Sequence, residues 1–259
     1  MNIVMSIGPK TIFIIPYRSR ETQMKYFIQY FETRIRNQPD MEDAEYFFIH
    51  QTDNRPFNRG AMKNIGFIVF SKKYSNWRDI TFVFHDIDQY PKPDVMFPYK
   101  TTQGVVTHYY GFVNTLGGAV AIKGSDFYKT KGYCNFWSWG YEDNVLQNRV
   151  LTQKLTIDRS IFYKVNDTEH LINISTDGPL RMVSKHEVQR YVSNVLDNLY
   201  SIKNLSFIEK DHSIDVNWFD TGFQPSPLYV YNLKSNELNL YSYLFKKKNV
   251  IHRNRKWNL

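Results

Sequence analysis

The stretch ITFVFHDID at residues 80–88 decides the fold, because an apolar run ends there in two carboxylates. Ile80 to Phe84 is short and continuously apolar, as expected for a strand that is covered on both faces of a sheet. Asp86 and Asp88 follow it at once. Ligands of open α/β sheets bind beyond the carboxyl ends of the strands. The stretch therefore predicts a buried strand that delivers two acidic side chains to a ligand site.

Two similar units precede this strand in the sequence. Apolar runs over Thr11–Ile15, which Pro16 should end, and over Tyr46–His50 predict two more strands. Apolar residues at helical spacing predict helices over Glu21–Arg36 and Arg59–Tyr74. The order β-α-β-α-β predicts an α/β, Rossmann-like fold, in which helices flank a mostly parallel central sheet.

The pattern is looser from about residue 91, where three prolines indicate a loop. We find no internal repeat and no convincing linker, so all 259 residues are predicted to form a single domain. The elements predicted in this part are a Gly-led strand over Leu116–Ile122, an exposed aromatic loop over Cys134–Asp143, helices over Glu142–Val150 and Val183–Leu199, and short strands from Phe207 to Trp218.

The chain is basic, with 33 Lys and Arg against 25 Asp and Glu and a formal charge of +8. A basic protein attracts anions such as nucleic acid, anionic lipid or phosphorylated small molecules. Part of the excess is a C-terminal segment, for which a solvated tail is the default interpretation and contact with nucleic acid or a membrane the alternative. No nucleic-acid motif accompanies it, so no nucleic-acid partner is expected. The basic residues of this segment are Lys246, Lys247, Lys248, Arg253, Arg255 and Lys256.

Cysteine usage and hydropathy bear on the compartment. Cys134 is the only cysteine, so no intrachain disulfide is possible and a reducing environment fits. No apolar segment approaches the ~18 to 20 residues that a transmembrane helix requires, and none is typical of a signal peptide. We expect a soluble, cytoplasmic protein without an anchor. The bias toward Asn, Lys, Ile, Tyr and Phe suggests an AT-rich genome, such as that of a virus in an infected host cell.

Three groups of residues could carry chemistry. Asp86 and Asp88 could meet a hard divalent cation and a ribose together, although a surface turn also supplies this pattern. In the segment from Trp137 to Asp143, a Trp face could pack on a sugar and a carboxylate could accept a proton; the alternative is a buried Trp beside an ordinary acidic helix start. The third group could grip a phosphate and stack on a base, or could lie in solvated loops, and consists of Arg18, Arg20, Phe57 and Arg59.

Taken together and in order, these segments resemble the β-1,4-galactosyltransferase family over about residues 11 to 205. That family carries a Pro-Phe-Arg-x-Arg loop, a Phe-Asn-Arg segment, an Asp-Val-Asp metal motif, a Gly-Gly strand and a Trp-Gly-Trp-Gly-Gly-Glu-Asp signature. The matching segments are Pro16-Tyr17-Arg18-Ser19-Arg20, Phe57-Asn58-Arg59, Asp86-Ile87-Asp88, Gly117-Gly118 and Trp137-Ser138-Trp139-Gly140-Tyr141-Glu142-Asp143.

The resemblance implies a GT-A-like transferase domain that transfers a sugar with inversion, using Mn²⁺ (Mg²⁺ is also compatible) and a UDP-sugar. Galactose is the sugar expected from the family, and the acceptor would be a glycan, protein or lipid. The domain would divide into a nucleotide-binding half (1–90), a metal and acceptor half (91–205) and a C-terminal extension (206–259). Carried over by position, Asp143 would be the catalytic base and Glu142 would orient the acceptor; Trp139 and Tyr141 would bind the acceptor; and the nucleotide-sugar would be held by Pro16, Arg18, Arg20, Phe57, Arg59, Asp86, Ile87, Gly117 and Gly118.

The metal ligands implied by the resemblance are Asp88 and a histidine some thirty residues beyond the acidic signature. His170 is closest to that place, with Asp167 where the family has a Met; the rival pair is Met182 with His186. The chain also departs from the family at Tyr141 and Ser138, where the signature has Gly. A bulky Tyr141 on the acceptor side leaves a second hypothesis open, a non-catalytic sugar- or nucleotide-binding protein that keeps the fold.

Overall fold

The computed structural model of the chain describes residues 5–176 and 178–234, and only the backbone of 237–239 and 255–256. Most of the basic C-terminal segment, including Lys246, Lys247, Lys248 and Arg253, lies outside the described residues. None of the helices in the described parts of the chain combines the length and the apolar character needed to cross a bilayer.

The strands of the described chain form one large sheet and two small ones. Their bounds are β1 Thr11–Tyr17, β2 Glu45–Gln51, β3 Thr81–His85, β4 Gln89–Pro91, β5 Val105–Gly111, β6 Ala119–Lys123, β7 Thr156–Asp158, β8 Tyr163–Lys164, β9 Leu171–Asn173, β10 Leu180–Val183, β11 Lys203–Lys210, β12 Ser213–Asp220, β13 Tyr229–Asn232, β14 Glu237–Asn239 and β15 Arg255–Lys256.

The helices of the described chain flank the large sheet. A π-helical turn at Phe31–Ile35 continues the first helix, and a 3₁₀ turn at Leu199–Ser201 precedes β11. The α-helices are α1 Glu21–Tyr30, α2 Arg59–Lys73, α3 Gly124–Thr130, α4 Glu142–Thr152 and α5 Lys185–Val192.

The large sheet has the strand order β11-β12-β2-β1-β3-β6-β5-β7, with β8 also paired to β5. Five of its pairs are parallel: β12 with β2, β2 with β1, β1 with β3, and β5 with both β7 and β8. The pairs of β6 with its two neighbours and of β11 with β12 are antiparallel. The mostly parallel α/β sheet predicted from the sequence is therefore confirmed.

The central strand β1 shows why its sequence is apolar at every position. Ile12 and Ile14 pack into one core with α2, whereas Phe13 and Ile15 pack into a second core with α1. All four side chains are fully buried. Alternate residues of a strand point to opposite faces, so a sheet with helices on both faces needs apolar residues at successive positions.

The predicted strands and helices up to residue 85 are confirmed to within a few residues at their ends. Pro16 does not end β1, which continues to Tyr17. The reason is its position: beyond Ile14 the strand pairs only with β2, so the missing N–H of proline costs no hydrogen bond to β3.

Three predictions downstream are wrong in part. The loop from Cys134 is buried up to Ser138, because Trp137 stacks on Phe219 and its indole donates to the carbonyl oxygen of Phe223 at 2.8 Å. The Gly-led strand begins only at Ala119, after Gly118 at φ +74°. The helix predicted over Val183–Leu199 is shorter and forms only α5, Lys185–Val192. Ser184 caps its N-terminus, and the helix ends before Asn194, whose φ of +54° is not helical.

Strand β5 and helix α3 were not predicted. Strand β5 mixes valines with Thr107, His108 and two tyrosines, so it lacks a clean alternation, although it is buried at six of seven positions. Helix α3 has seven residues, too few for a helical periodicity to stand out. The hairpin of β11 and β12 joins the large sheet beside β2, which places residues 203–220 in the same sheet as the first half of the chain.

Gly124, the first residue of α3, allows a close approach that no other residue could make. A Cβ atom there would lie 2.0 Å from the carbonyl oxygen of Trp77. Gly124→Ala is expected to lower the free energy of unfolding by about 1–3 kcal/mol, because the backbone must shift to relieve the clash. Urea denaturation measures the change. The control Gly222→Ala, where the nearest atom is 3.7 Å away, should stay within about 0.5 kcal/mol; equal effects would contradict the packing described here.

Candidate active site

The carboxyl ends of β1, β2 and β3 lie at one edge of the sheet, because these strands are parallel neighbours. Asp86 follows β3 at this edge, and its backbone N–H donates to the carbonyl oxygen of Gly118 at 2.7 Å. The chain enters β6 from the same edge, since β6 is antiparallel to β3. Segments far apart in the sequence therefore meet here, as predicted for ligand sites of such sheets.

Arg59 joins three carboxylates at this edge. Its Nη1 donates to Asp86 Oδ2 at 2.8 Å, its Nε to Glu142 Oε1 at 2.7 Å, and its Nη2 to Asp143 Oδ2 at 2.5 Å. One guanidinium thus ties the segment after β3 to the start of α4. The sequence-predicted residues Arg59, Asp86, Glu142 and Asp143 are brought together in one cluster.

The position of Arg59 is fixed by its neighbour Asn58. The Asn58 side chain accepts from the N–H of Ala61 at 2.9 Å and caps α2. It also donates to the carbonyl oxygen of Asn135 at 3.0 Å, and its own N–H donates to Gln51 Oε1 at 2.8 Å. These bonds link α2 to the end of β2 and to the buried loop before α4. They therefore fix the position of Arg59, the first residue of the helix.

Lys63 lies one helical turn after Arg59 and approaches the same carboxylates. Its ammonium donates to Asp143 Oδ1 at 3.2 Å and lies 3.7 Å from Asp86 Oδ1. It also lies 4.6 Å from the centroid of the Tyr133 ring, where a cation–π contact forms. We assigned no role to Lys63 from the sequence; its spacing of four residues from Arg59, on the same face of the helix, is the signal that could have found it.

Gly117 and Gly118 provide room for this cluster. A Cβ atom at Gly117 would lie 2.3 Å from Asp143 Oδ2, and one at Gly118 would lie 2.1 Å from the carbonyl oxygen of Tyr110. The N–H of Leu116 donates to the carbonyl oxygen of Asp143 at 3.1 Å. Gly117 therefore leaves room for the Asp143 carboxylate and Gly118 for Tyr110, roles that the resemblance to a nucleotide-sugar site did not specify.

Burial and neighbouring charges shift the pKa values of the cluster in different directions. Burial opposes the charge of Arg59, but the attraction of Asp143, Asp86 and Glu142 raises its pKa. Burial likewise opposes ionisation of Asp86, yet the cations Arg59 and Lys63 lower its pKa. Burial dominates at Glu142 and raises its pKa, with Asp143 adding to the rise, and its Oε2 is buried without a hydrogen-bond partner.

The other residues predicted to hold a nucleotide lie around the same edge with different roles. Arg18 donates to the carbonyl oxygens of Gln51, Asp53 and Arg55, so it shapes the loop after β2. Phe57 is partly buried beside the core, with the Arg18 guanidinium 5.7 Å from its ring centroid.

Pro16 and Ile87 lie in the interior, and Arg20 reaches across the edge. Pro16 is a buried member of β1, and Ile87 is 7% exposed within the core on the α1 side. Arg20 Nη1 donates to Thr176 Oγ1 at 3.1 Å. Arg20 thereby brings residues 174–176 to this edge, close to Asp88.

The aromatic residues before α4 divide into buried and accessible ones. Trp137 is buried, whereas Trp139 is 36% exposed, with its N–H held by the carbonyl oxygen of Met182 and the Arg181 guanidinium 5.6 Å from its ring. Tyr141 is half-buried and stacks on Tyr191 at 4.3 Å. Its backbone has φ +71°, a conformation that glycine adopts without strain and tyrosine does not.

The residues predicted to bind a metal are not all brought together. The N–H of Ile174 donates to the carbonyl oxygen of Asp88, and that of Lys92 to the carbonyl oxygen of His170, at opposite ends of the β4–β9 ladder. Asp88 and Lys92, which mark the two ends, are four residues apart in extended chain, and this corresponds to about 13 Å. His170 Nδ1 instead lies 3.0 Å from both carboxylate oxygens of Asp167.

The surroundings of Asp88 bear on whether a cation fits. Within the described residues, no group of three or more His, Cys, Asp or Glu side chains is arranged to hold a metal ion. The rival histidine, His186, is exposed on α5. Ile174 lies across the ladder from Asp88, and its neighbours Asn173 and Ser175 carry side-chain oxygens, of which Asn173 Oδ1 accepts from the N–H of Ser175 at 2.8 Å. A hard cation that takes one carboxylate and completes its shell with phosphates and water fits this donor set.

A cavity with a volume of about 590 Å³ lies at the opposite edge of the sheet from the Arg59 cluster. Its lining includes the first residues of β1 and β3, Thr11 and Thr81. Two of the charged groups there are paired: Lys100 contacts Asp40, and Lys123 donates to the carbonyl oxygen of Asp79. None of the residues predicted from the sequence to bind a ligand lines this cavity.

Family models match most of the described chain. A model described as the N-terminal region of glycosyl transferase group 7 matches residues 7–100, and one described as the N-terminal domain of galactosyltransferase matches residues 100–173. The matched range contains the whole Arg59 cluster.

Similar curated proteins are longer than the matched region. Human beta-1,4-galactosyltransferase 4 is 29% identical over 160 residues, which are 57% of this chain and 44% of that protein. The Cricetulus griseus enzyme of the same name is 27% identical over 197 residues, 68% of this chain and 54% of that protein. Human beta-1,4-galactosyltransferase 1 is 31% identical over 58% of this chain and 39% of that protein. The chain thus spans about half the length of the relatives it matches.

Solved structures share the fold. The catalytic domain of Drosophila beta1,4-galactosyltransferase 7, in complex with xylobiose, has a TM-score of 0.63 and 18% identity, covering 83% of this chain and 95% of that one. A mutant of that protein in complex with manganese, UDP-Gal and xylobiose has a TM-score of 0.61 and 17% identity over the same shares. At this identity the likeness shows the fold alone.

His108 supports the glycine pair and should make stability depend on pH. Its Nδ1 accepts from Arg159 at 3.0 Å, so its Nε2–H donates to the carbonyl oxygen of Gly117 at 2.9 Å. Burial, with the Arg159 cation, lowers the pKa of His108 from 6.5 to about 4. The unfolded chain therefore binds a proton at a higher pH than the folded chain, and the free energy of unfolding falls as pH drops from about 6.5 to about 4.

His108→Gln removes this contribution. Between pH 7.5 and pH 5, the wild type is expected to lose about 2 kcal/mol more unfolding free energy than the variant. Urea denaturation of both proteins at the two pH values measures the difference. Equal losses would show that His108 is protonated in the folded protein as readily as in the unfolded chain.

Proposed function

Since the chain belongs to the β-1,4-galactosyltransferase family, we propose that it is a glycosyltransferase that moves a sugar from a UDP-sugar to an acceptor hydroxyl with inversion. Galactose is the proposed sugar. The observation that carries the proposal is the convergence of Asp86, Glu142 and Asp143 on Arg59 at the carboxyl edge of the sheet. The proposed base, Asp143, then lies beside Arg59, a cation that can bind a phosphate.

The reaction is a single displacement. Asp143 accepts the proton of the acceptor hydroxyl while that oxygen forms a bond to the anomeric carbon. The bond from this carbon to the diphosphate oxygen breaks on the opposite face, and its electron pair leaves with UDP. One displacement inverts the configuration of the sugar, and the proton then passes from Asp143 to water.

The remaining residues bind and orient the substrates. Arg59 is 23% exposed and Arg20 lies at the same edge, so both can donate to the departing diphosphate. Trp139 offers an accessible ring face on which an acceptor sugar can pack. Glu142 would orient the acceptor from beside Asp143, and its Oε1 accepts from Arg59 Nε at 2.7 Å.

Asp88 would hold a divalent cation, Mn²⁺ or Mg²⁺, whose other ligands would be phosphate and water oxygens. When bound, such an ion supplies positive charge that stabilises the leaving diphosphate. The alternative, in which His170 is a second protein ligand of the cation, has less support. The β4–β9 ladder separates His170 from Asp88.

A second candidate function is a sugar- or nucleotide-binding protein without transferase activity. The strained Tyr141, which replaces a small residue beside the proposed base, is the observation that favours it. A thermal-shift screen of UDP-sugars with and without Mn²⁺ tests donor binding under either function, because a ligand that binds the folded state raises the melting temperature. Assays of transfer to a panel of glycan, protein and lipid acceptors then distinguish the enzyme from the binder.

Asp143→Asn tests the base. Turnover is expected to fall by roughly 10² to 10⁴, with donor affinity nearly unchanged, because general-base assistance is worth about that factor. Steady-state kinetics and UDP titration calorimetry measure the two quantities. Asp94→Asn, an exposed change outside the site, serves as the control. Full turnover of Asp143→Asn would remove Asp143 from the mechanism.

Asp88→Ala and His170→Ala together test the metal assignment. We expect Asp88→Ala to lose the Mn²⁺-dependent part of UDP binding, at least tenfold in affinity (about 1.4 kcal/mol), and His170→Ala to retain it within about twofold. Calorimetry with Mn²⁺ and with EDTA measures both, with Asp94→Ala as the matched control. An equal loss in His170→Ala would place the histidine at the metal, and no loss in Asp88→Ala would refute the site.

A further inference from the structure

Lys63 is a lysine without access to water. Its side chain is 1% exposed, and residues 60–67 of α2 are all buried around it. Removing an ammonium group from water costs several kcal/mol unless close partners compensate. A methionine or leucine of similar size would avoid that cost, so the partners of Lys63 indicate what its charge does.

Those partners belong to the proposed active site. The ammonium donates to Asp143 Oδ1 at 3.2 Å and lies 3.7 Å from Asp86 Oδ1. The ring of Tyr133, itself fully buried, lies on another side of it at 4.6 Å. The ammonium is therefore enclosed between two carboxylates and an aromatic face.

The two oxygens of Asp143 are held by two cations of different accessibility. Oδ2 accepts from Arg59 at 2.5 Å, and Oδ1 accepts from Lys63. Arg59 is 23% exposed and can turn toward a phosphate, whereas Lys63 is enclosed and cannot. Three carboxylates share these two cations, so any movement of Arg59 toward a donor leaves Lys63 as the cation against Asp143.

We propose that Lys63 is a positioning residue for Asp143, an inference that rests on the transferase function proposed above. It holds Oδ1, which fixes the plane of the carboxylate, while Oδ2 accepts the proton of the acceptor hydroxyl. Gly117 limits the carboxylate on the side of Oδ2. Small displacements of a reacting group lower rates steeply, so loss of Lys63 affects turnover more than donor binding.

A double-mutant cycle between Lys63→Met and Asp143→Asn tests this role. In the wild-type background, Lys63→Met is expected to lower kcat by roughly 10- to 100-fold with the donor KM within about threefold. In the Asp143→Asn background the same change should alter kcat by less than about twofold, because the residue that Lys63 positions is already disabled. Lys63→Arg should recover most of the kcat lost in Lys63→Met. Lys123→Met, a half-buried lysine at the opposite edge of the sheet, is the matched control and should leave kcat unchanged.

Melting temperatures of all variants accompany the cycle. If Lys63→Met does not fold, Lys63→Gln, which keeps a polar side chain without the charge, carries the same cycle, and its kcat loss should again vanish in the Asp143→Asn background. Equal losses in the two backgrounds overturn the role of Lys63, as does an unchanged kcat in Lys63→Met. An inactive wild type overturns the proposed function itself, so the two failures are distinguishable.

Discussion

The contact of one guanidinium, that of Arg59, with Asp86, Glu142 and Asp143 is the interaction on which the site depends. Arg59 reaches Glu142, 83 residues further along the chain, and so joins the segment after β3 to the start of α4. Without a cation between them, three buried carboxylates could not share so small a volume, because like charges in a region of low dielectric repel strongly. Lys63 adds a second cation from the interior, so the three carboxylates share two cations.

The fold places these groups with little freedom. Parallel strands β1, β2 and β3 end at the same edge, the capped helix α2 starts there, and Gly117 leaves room for the Asp143 carboxylate. The loop before α4 is part of the core rather than a surface feature, since Trp137 is anchored on the hairpin of β11 and β12. Residues 203–223 therefore hold in place the loop that leads into α4, although they lie outside the range that the family models match.

Much of this could be predicted from the sequence, for identifiable reasons. Apolar runs such as Thr11–Ile15 are unambiguous when both faces of a strand are buried, so the first half of the sheet was predicted correctly. The residues of the Arg59 cluster were found because their types and order match a family. Strand β5 and the buried Lys63 were not found, and the burial of Trp137 was only one of two alternatives, because each depends on contacts with distant segments that leave no local periodicity. His170 shows the converse: its spacing along the chain suggested a ligand, but strand pairing places it at the far end of a ladder from Asp88.

The most direct measurement of the role of Arg59 is hydrogen–deuterium exchange of Arg59→Met against the wild type. If Arg59 ties the segments together, amide exchange should become faster in all three of residues 85–88, 116–118 and 141–146, while β2 at residues 45–51 keeps its protection. Faster exchange confined to residues 58–62, at the start of α2, would mean that the three segments hold one another without the arginine and would contradict this account.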